Sequence, residues 1–241
     1  MISRKEKLRK ICDNIIRLLY PKYCPVCDKI IPIPHEYCIC SRAENIRVKD
    51  DYCRHCGHDI TDCVCKAKNS VSLPDITAPY IYAGKVRADI LNLKFNNDKH
   101  LAVRLGTDMA ERVAFAYADI DFDFVTFVPM SSRSKNVRTY NQSELLAKQV
   151  AKLLFLPTED VFDKTKETKS QHTLGGKERR INLKDSVEIK KNVSVEGKTV
   201  LLCDDIKTTG STLVQCVNEL EKAGAKRVCC VCVALTQFHA K

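Results

Sequence analysis

The chain predicts an α/β fold: a doubly wound, mainly parallel sheet over residues 76–241, preceded by a small cysteine-rich metal-binding module. Three observations carry this. Apolar runs of strand length alternate with helical stripes from residue 76 onward, the order that a parallel sheet with crossover helices requires. One strand–helix junction holds two adjacent carboxylates and a loop of hydroxyls around one glycine. Nine of the fourteen cysteines lie before residue 66, most of them in short-spaced pairs.

Each element follows from its pattern. Leu8, Ile11, Cys12, Ile15, Ile16, Leu18 and Leu19 fall at helical spacing, and Pro21 ends that helix. Residues 1–23 are therefore read as an amphipathic helix, 24–68 as the metal module, and 76–241 as the α/β domain. The polar stretch 66–74 reads as a linker. Beyond it come a strand near 79–83, a short helix over 86–93 and a longer one over 101–113. A strand over 122–128 stops at Pro129, and a helix follows over 145–154. Val161, Val187 and Ile189 mark short strands. The acid-pair strand runs 199–203, a helix covers 212–223, and 227–235 is the last strand.

A net charge of +10 suits a polyanionic ligand, whether pyrophosphate or nucleic acid. No run approaches the roughly 18 apolar residues of a membrane span. The basic N-terminus is followed by a stretch broken at Asp13, Asn14 and Arg17, with no small-residue cleavage site. A secretory signal is not expected, and a cytoplasmic location is.

The front cysteines are Cys24-x-x-Cys27, Cys38-x-Cys40, Cys53-x-x-Cys56-Gly57 and Cys63-x-Cys65. Without an export signal, metal binding is a better reading than disulfides. Cys24, Cys27, Cys53 and Cys56 can make one tetrahedral zinc site. Cys38, Cys40, Cys63 and Cys65 can make a second, interleaved with the first. His35, His55 and His58 can replace a cysteine, but read first as exposed loop residues. Four protein ligands leave no open position, so the zinc is structural. Cys203, Cys216, Cys229, Cys230 and Cys232 lie on apolar faces and read as core.

Residues 200–212 are the most informative: Val-Leu-Leu-Cys-Asp-Asp-Ile-Lys-Thr-Thr-Gly-Ser-Thr. Thr208, Thr209, Gly210, Ser211 and Thr212 form a turn whose small residues let backbone N–H groups face an anion, ahead of a helix N-terminus. Asp204 and Asp205 cannot bind phosphate. They suit vicinal hydroxyls or a magnesium ion carried by the ligand. A second basic loop, with Arg133, Lys135 and Arg138, lies between Val128 and the helix near Ser143 and suits pyrophosphate. A long polar segment, 164–184, with Gly175, Gly176, Lys177, Arg179 and Arg180, reads as a lid.

The acid-pair stretch resembles the PRPP motif of type I phosphoribosyltransferases. Over nearly the whole chain the combination resembles the ComF family. The marks are Tyr20-Pro21-x-x-Cys24-x-x-Cys27, Tyr52-Cys53-x-x-Cys56-Gly57, Leu93-Lys94-Phe95 with Asp98, Arg138-Thr139-Tyr140-Asn141-Gln142, Gln171-x-x-Leu174 with Arg179-x-x-Asn182, and 200–212. Two departures are visible. The family usually has glycine where Thr139 stands, and the Cys-x-Cys pairs are commonly Cys-x-x-Cys. The resemblance implies a type I phosphoribosyltransferase-like domain that binds PRPP with magnesium, and a role in natural competence and DNA uptake. Asp204, Asp205 and Arg138 would carry catalysis. Residues 208–212, with Arg133 and Lys135, would hold the phosphates. The reaction would be a glycosyl transfer that releases pyrophosphate. In purine-salvage relatives the position of Thr208 is a carboxylate that contacts the base, so threonine leaves the acceptor unnamed. A binding protein for single-stranded DNA, or a PRPP sensor without turnover, is the other reading; DNA-uptake proteins are partners on either.

Overall fold

The computed structural model describes residues 17–21, 23–24, 27, 29–33, 46–63, 65, 75–130, 138–166 and 185–236. In chain order the elements are β1 (Ile76–Thr77), β2 (Tyr80–Ile81), α1 (Gly84–Phe95), α2 (His100–Ala116), β3 (Phe124–Phe127), α3 (Gln142–Leu154), β4 (Phe162–Lys166), β5 (Asp185–Ile189), β6 (Thr199–Lys207), α4 (Ser211–Lys222) and β7 (Arg227–Leu235). One parallel sheet has the order β1–β7–β6–β3, with β2 also paired to β7.

The period-2 pattern of β6 and β7 covers both faces of this sheet. Leu201, Cys203, Cys229, Val231 and Val233 face one way and pack with Ile90, Leu93, Leu105, Met109, Leu146 and Val150 of α1, α2 and α3. Val200, Leu202, Val228, Cys230 and Cys232 face the other way and meet Leu213, Cys216, Val217 and Leu220 of α4, with Phe162 and Val187 of the β4–β5 hairpin. Burying each such leucine contributes about 2 kcal/mol. The sheet is thus a rigid frame for whatever its strand ends carry. The five C-terminal cysteines are all buried, as the sequence reading expects.

Three elements differ from the sequence reading. The strand near 79–83 is two short contacts, Ile76↔Cys230 to Thr77↔Val231 and Tyr80↔Ala234 to Ile81↔Leu235. Pro79 lies between them and has no N–H for a ladder. Val161, Val187 and Ile189 do not extend the parallel sheet. β4 and β5 form a separate antiparallel hairpin, paired Phe162↔Ile189. β6 continues past residue 203 to Lys207, because β7 runs alongside it as far as Leu235. The acid pair therefore sits within a paired strand. Of the expected N-terminal helix, only residues 17–19 are described and helical. The stretch 167–184, most of the expected lid, lies outside the described residues.

The segment 46–63 packs on the sheet's β1 edge. Val48 N–H donates to Pro79 O at 3.1 Å, and Ile76 N–H donates to Arg54 O at 2.8 Å. Arg112 of α2 fastens it from the side. Its guanidinium donates to Thr77 Oγ1 at 2.8 Å and Lys49 O at 3.0 Å, and lies 4.4 Å over the Tyr52 ring. Among the described residues, no helix is long and apolar enough to cross a membrane.

Candidate functional site

The site forms where β6 ends and α4 begins. Gly210 has φ +81°, the left-handed region that a side chain disfavours, and it caps α4. The exposed turn before it is held by local bonds. Thr209 Oγ1 accepts from Ser211 N–H at 3.3 Å and donates to Ser211 Oγ at 3.1 Å. Thr208 and Thr209 are exposed, while Gly210 is buried.

Asp204 and Asp205 are held by different elements. Asp204 Oδ1 accepts from Ser143 Oγ at 2.9 Å and from Asp205 N–H at 2.8 Å. Burial, and then the charge of Asp205, push its carboxyl up to about 7; these two hydrogen bonds and Lys94 oppose the shift. Asp205 Oδ1 pairs with Lys94 Nζ at 2.8 Å, from the C-terminal turn of α1. Its Oδ2 is buried and has no hydrogen-bond partner among the described residues. A buried carboxylate oxygen left without a donor is costly. An oxygen so placed can accept from a hydroxyl or meet a cation.

The segment leading into α3 is tied to both. Asn141 caps α3: its Oδ1 accepts from Ser143 N–H at 3.0 Å, and its Nδ2 donates to Val128 O at 3.0 Å. This joins the end of β3 to the start of α3. Arg138 Nη1 donates to Gln142 Oε1 at 3.1 Å, and its guanidinium lies 4.6 Å over the Phe95 ring. Tyr140 Oη donates to Leu93 O. Arg138 thus stands beside the end of α1 that supplies Lys94. Arg133 and Lys135 lie outside the described residues. Lys94 and Ser143 have no assigned role in the sequence reading. Lys94 stands in a family mark, and Ser143 follows the Asn141 cap; neither signal alone shows contact with the acids.

The cysteine grouping needs correction. Cys53, Cys56, Cys63 and Cys65 lie together, with all four sulfurs within 4.8 Å of one another. Cys53 Sγ to Cys65 Sγ is 4.0 Å, and Cys56 Sγ to Cys63 Sγ is 3.9 Å. A tetrahedron with metal–sulfur bonds of about 2.3 Å has edges of about 3.8 Å, so the donor set can hold a metal ion. The reading that groups Cys24 and Cys27 with Cys53 and Cys56, and Cys38 and Cys40 with Cys63 and Cys65, is not what the fold makes. Closing a loop over a few residues, through the short turn Ile60–Asp62, costs less entropy than reaching back across some thirty. Cys24 and Cys27 form a separate turn, with Cys27 N–H 3.5 Å from Cys24 Sγ. Cys38 and Cys40 lie outside the described residues.

Gly57 completes the knuckle. Its φ is +81°, and its N–H donates to Cys53 O at 2.7 Å. His55 is exposed, as expected. His58 is not: it is buried, and its ring nitrogens lie 3.2 Å from Cys56 O and 2.8 Å from Thr236 O. Burial holds its pKa below the usual histidine value, and a neutral ring has one N–H to donate to one of these two carbonyls.

Residues 141–239 match the family model described as the phosphoribosyl transferase domain. The chain is also similar, over most of its length, to three curated proteins. "DNA utilization protein YhgH" of Escherichia coli (strain K12) is 27% identical over 230 residues, covering 90% of this chain and 100% of that protein. "Competence protein F" of Haemophilus influenzae is 29% identical over 202 residues, covering 79% and 87%. "Competence protein ComFC" of Bacillus subtilis is 27% identical over 209 residues, covering 85% and 81%. The resemblance drawn from the motifs is borne out, and with it the α/β class and the phosphoribosyl transferase domain.

Proposed function

We propose that this chain, a ComF-type protein carrying a phosphoribosyl transferase domain, binds PRPP with magnesium and acts in the handling of incoming DNA during natural competence. One observation carries the ligand reading: Asp205 Oδ2 is a buried carboxylate oxygen with no partner among the described residues, set within the Asp204–Lys94–Ser143 cluster just before the Gly210 turn. The acids take the two ribose hydroxyls. Residues 208–212 take the 5′-phosphate. Arg138, with Arg133 and Lys135, takes the pyrophosphate, whose charge magnesium shares.

Cys53, Cys56, Cys63 and Cys65 hold a structural zinc, which the thiolate donor set favours. The limits 1–23, 24–68 and 76–241 and a cytoplasmic location are part of this proposal. The competence role rests on the relatives' names. Thr208 favours binding without turnover as the second reading, because it offers no carboxylate to orient an acceptor base. In that case the protein is a PRPP sensor, or a single-strand binder, among the DNA-uptake proteins.

Calorimetry with PRPP and magnesium tests the ligand reading. Wild type is expected to bind, and the Asp204→Ala, Asp205→Ala double variant to lose roughly a hundredfold in affinity, from two charge-assisted contacts of about 1.5 kcal/mol each. No binding by wild type sinks the reading.

A further inference from the structure

A ring of close polar contacts joins the metal knuckle to the last residue before the phosphate turn. Lys207 ends β6 and is buried, and its Nζ donates to Cys56 O at 3.2 Å. Lys207 O accepts from Thr236 N–H at 3.0 Å and from Thr236 Oγ1 at 3.3 Å. Thr236 O lies 2.8 Å from His58 Nε2, and His58 Nδ1 lies 3.2 Å from Cys56 O, which returns to the start. Packing fixes the same joint: a Cβ on Gly57 would stand 2.9 Å from Leu235 Cδ1. One residue of this ring, Cys56, is a metal ligand. Another, Lys207, is bonded covalently to Thr208.

The knuckle can fix this joint mechanically. Four thiolates on one ion would hold the turn that carries Cys53 and Cys56 in one conformation, and with it the Cys56 carbonyl that accepts from Lys207 Nζ. Removing the metal removes that restraint. The Cys56 carbonyl is then no longer fixed by its own side chain, and the end of β6 loses its anchor.

We propose that Lys207 is a positioning residue through which the metal knuckle holds the phosphate turn, so that metal loading and PRPP binding reinforce each other. This rests on the PRPP reading above. Coupling of this kind is reciprocal: if zinc raises affinity for PRPP, PRPP raises affinity for zinc by the same factor.

The test uses the full-length, zinc-loaded protein. Zinc affinity is measured by equilibrium competition with a chromogenic chelator, with and without saturating PRPP and magnesium. In wild type, PRPP is expected to tighten zinc by roughly tenfold, within the ~5–150-fold range of coupled sites. Lys207→Met, loaded to the same zinc content, is expected to bind PRPP about tenfold more weakly and to show no effect of PRPP on zinc. The wild-type competition needs no variant, so a poorly folding Lys207→Met leaves the proposal open to refutation. PRPP binding by wild type with zinc affinity unchanged overturns the coupling alone. A zinc-loaded, folded wild type that binds no PRPP removes the PRPP reading itself, and the coupling with it.

Discussion

Lys94 Nζ stands 2.8 Å from Asp205 Oδ1, while the other oxygen of the same carboxylate has no partner among the described residues. Asp205 is buried and the Lys94 side chain is mostly covered. The pair therefore works in a setting where an unmatched charge is expensive. Lys94 acts as a resident counter-ion that lets β6 carry two adjacent acids.

Lys94→Met should leave Asp205 as a buried, uncompensated carboxylate. Losing one partner of such a pair costs about 3 kcal/mol. Thermal unfolding is expected to show a clear drop in Tm, and Lys94→Met with Asp205→Asn should recover much of it, because both charges are then gone. A double variant as unstable as the sum of the two single ones would show that Lys94 and Asp205 are not coupled.

Asp204 gives a pH signature. Its carboxyl ionises near 7, because burial and the charge of Asp205 disfavour the anion. The ordinary value is about 3.9. Between about pH 4 and pH 7 the folded chain therefore keeps a proton that the unfolded chain has lost. This group's contribution to stability is greatest below that window and falls as pH rises through it. Ligand binding runs the other way, because a protonated carboxyl offers a weaker acceptor and no charge. Affinity for PRPP with magnesium is expected to rise between about pH 6 and pH 8, and Asp204→Asn should flatten the profile. Ser143→Ala removes a bond that favours the anion, and should move the midpoint upward by about one unit. Titration calorimetry across this range decides it: an unmoved midpoint in Ser143→Ala rules out Ser143 as a positioning residue.

The order of elements, the acid pair at a strand end and the Gly210 turn are legible because each is written locally. Strand and helix periods show in a few consecutive residues, and a left-handed turn selects glycine where it occurs. What was not legible lies across the fold. Ser143 and Asp204 are 61 residues apart, and Lys207 and Cys56 are 151 apart. Their contacts depend on which strand ends the sheet brings together. Cysteine spacing likewise marks the metal module without fixing which pairs share an ion, since several groupings satisfy the same spacing. His58 looked like a loop residue because its partners, Cys56 O and Thr236 O, are backbone atoms that no side-chain pattern announces.

Gly57 links the knuckle to the sheet in two separable ways. Its φ of +81° costs a side-chain-bearing residue about 1 kcal/mol. A Cβ there would also stand 2.9 Å from Leu235 Cδ1 and 3.3 Å from Cδ2. Leu235 is fully buried at the end of β7, so it has little room to yield. Gly57→Ala should therefore destabilise the chain by about 2–3 kcal/mol, adding the backbone cost to that of an overpacked contact. It should also weaken zinc retention, since the turn carrying Cys53 and Cys56 is displaced. Leu235→Ala in the Gly57→Ala background makes space for the methyl but leaves the backbone strain. Relative to Leu235→Ala alone, the added cost of Gly57→Ala should then shrink to about 1 kcal/mol. Denaturant unfolding of the four proteins measures both parts. An added cost that stays at its full size would mean that the contact with Leu235 contributes nothing, and that backbone conformation alone selects glycine at this position.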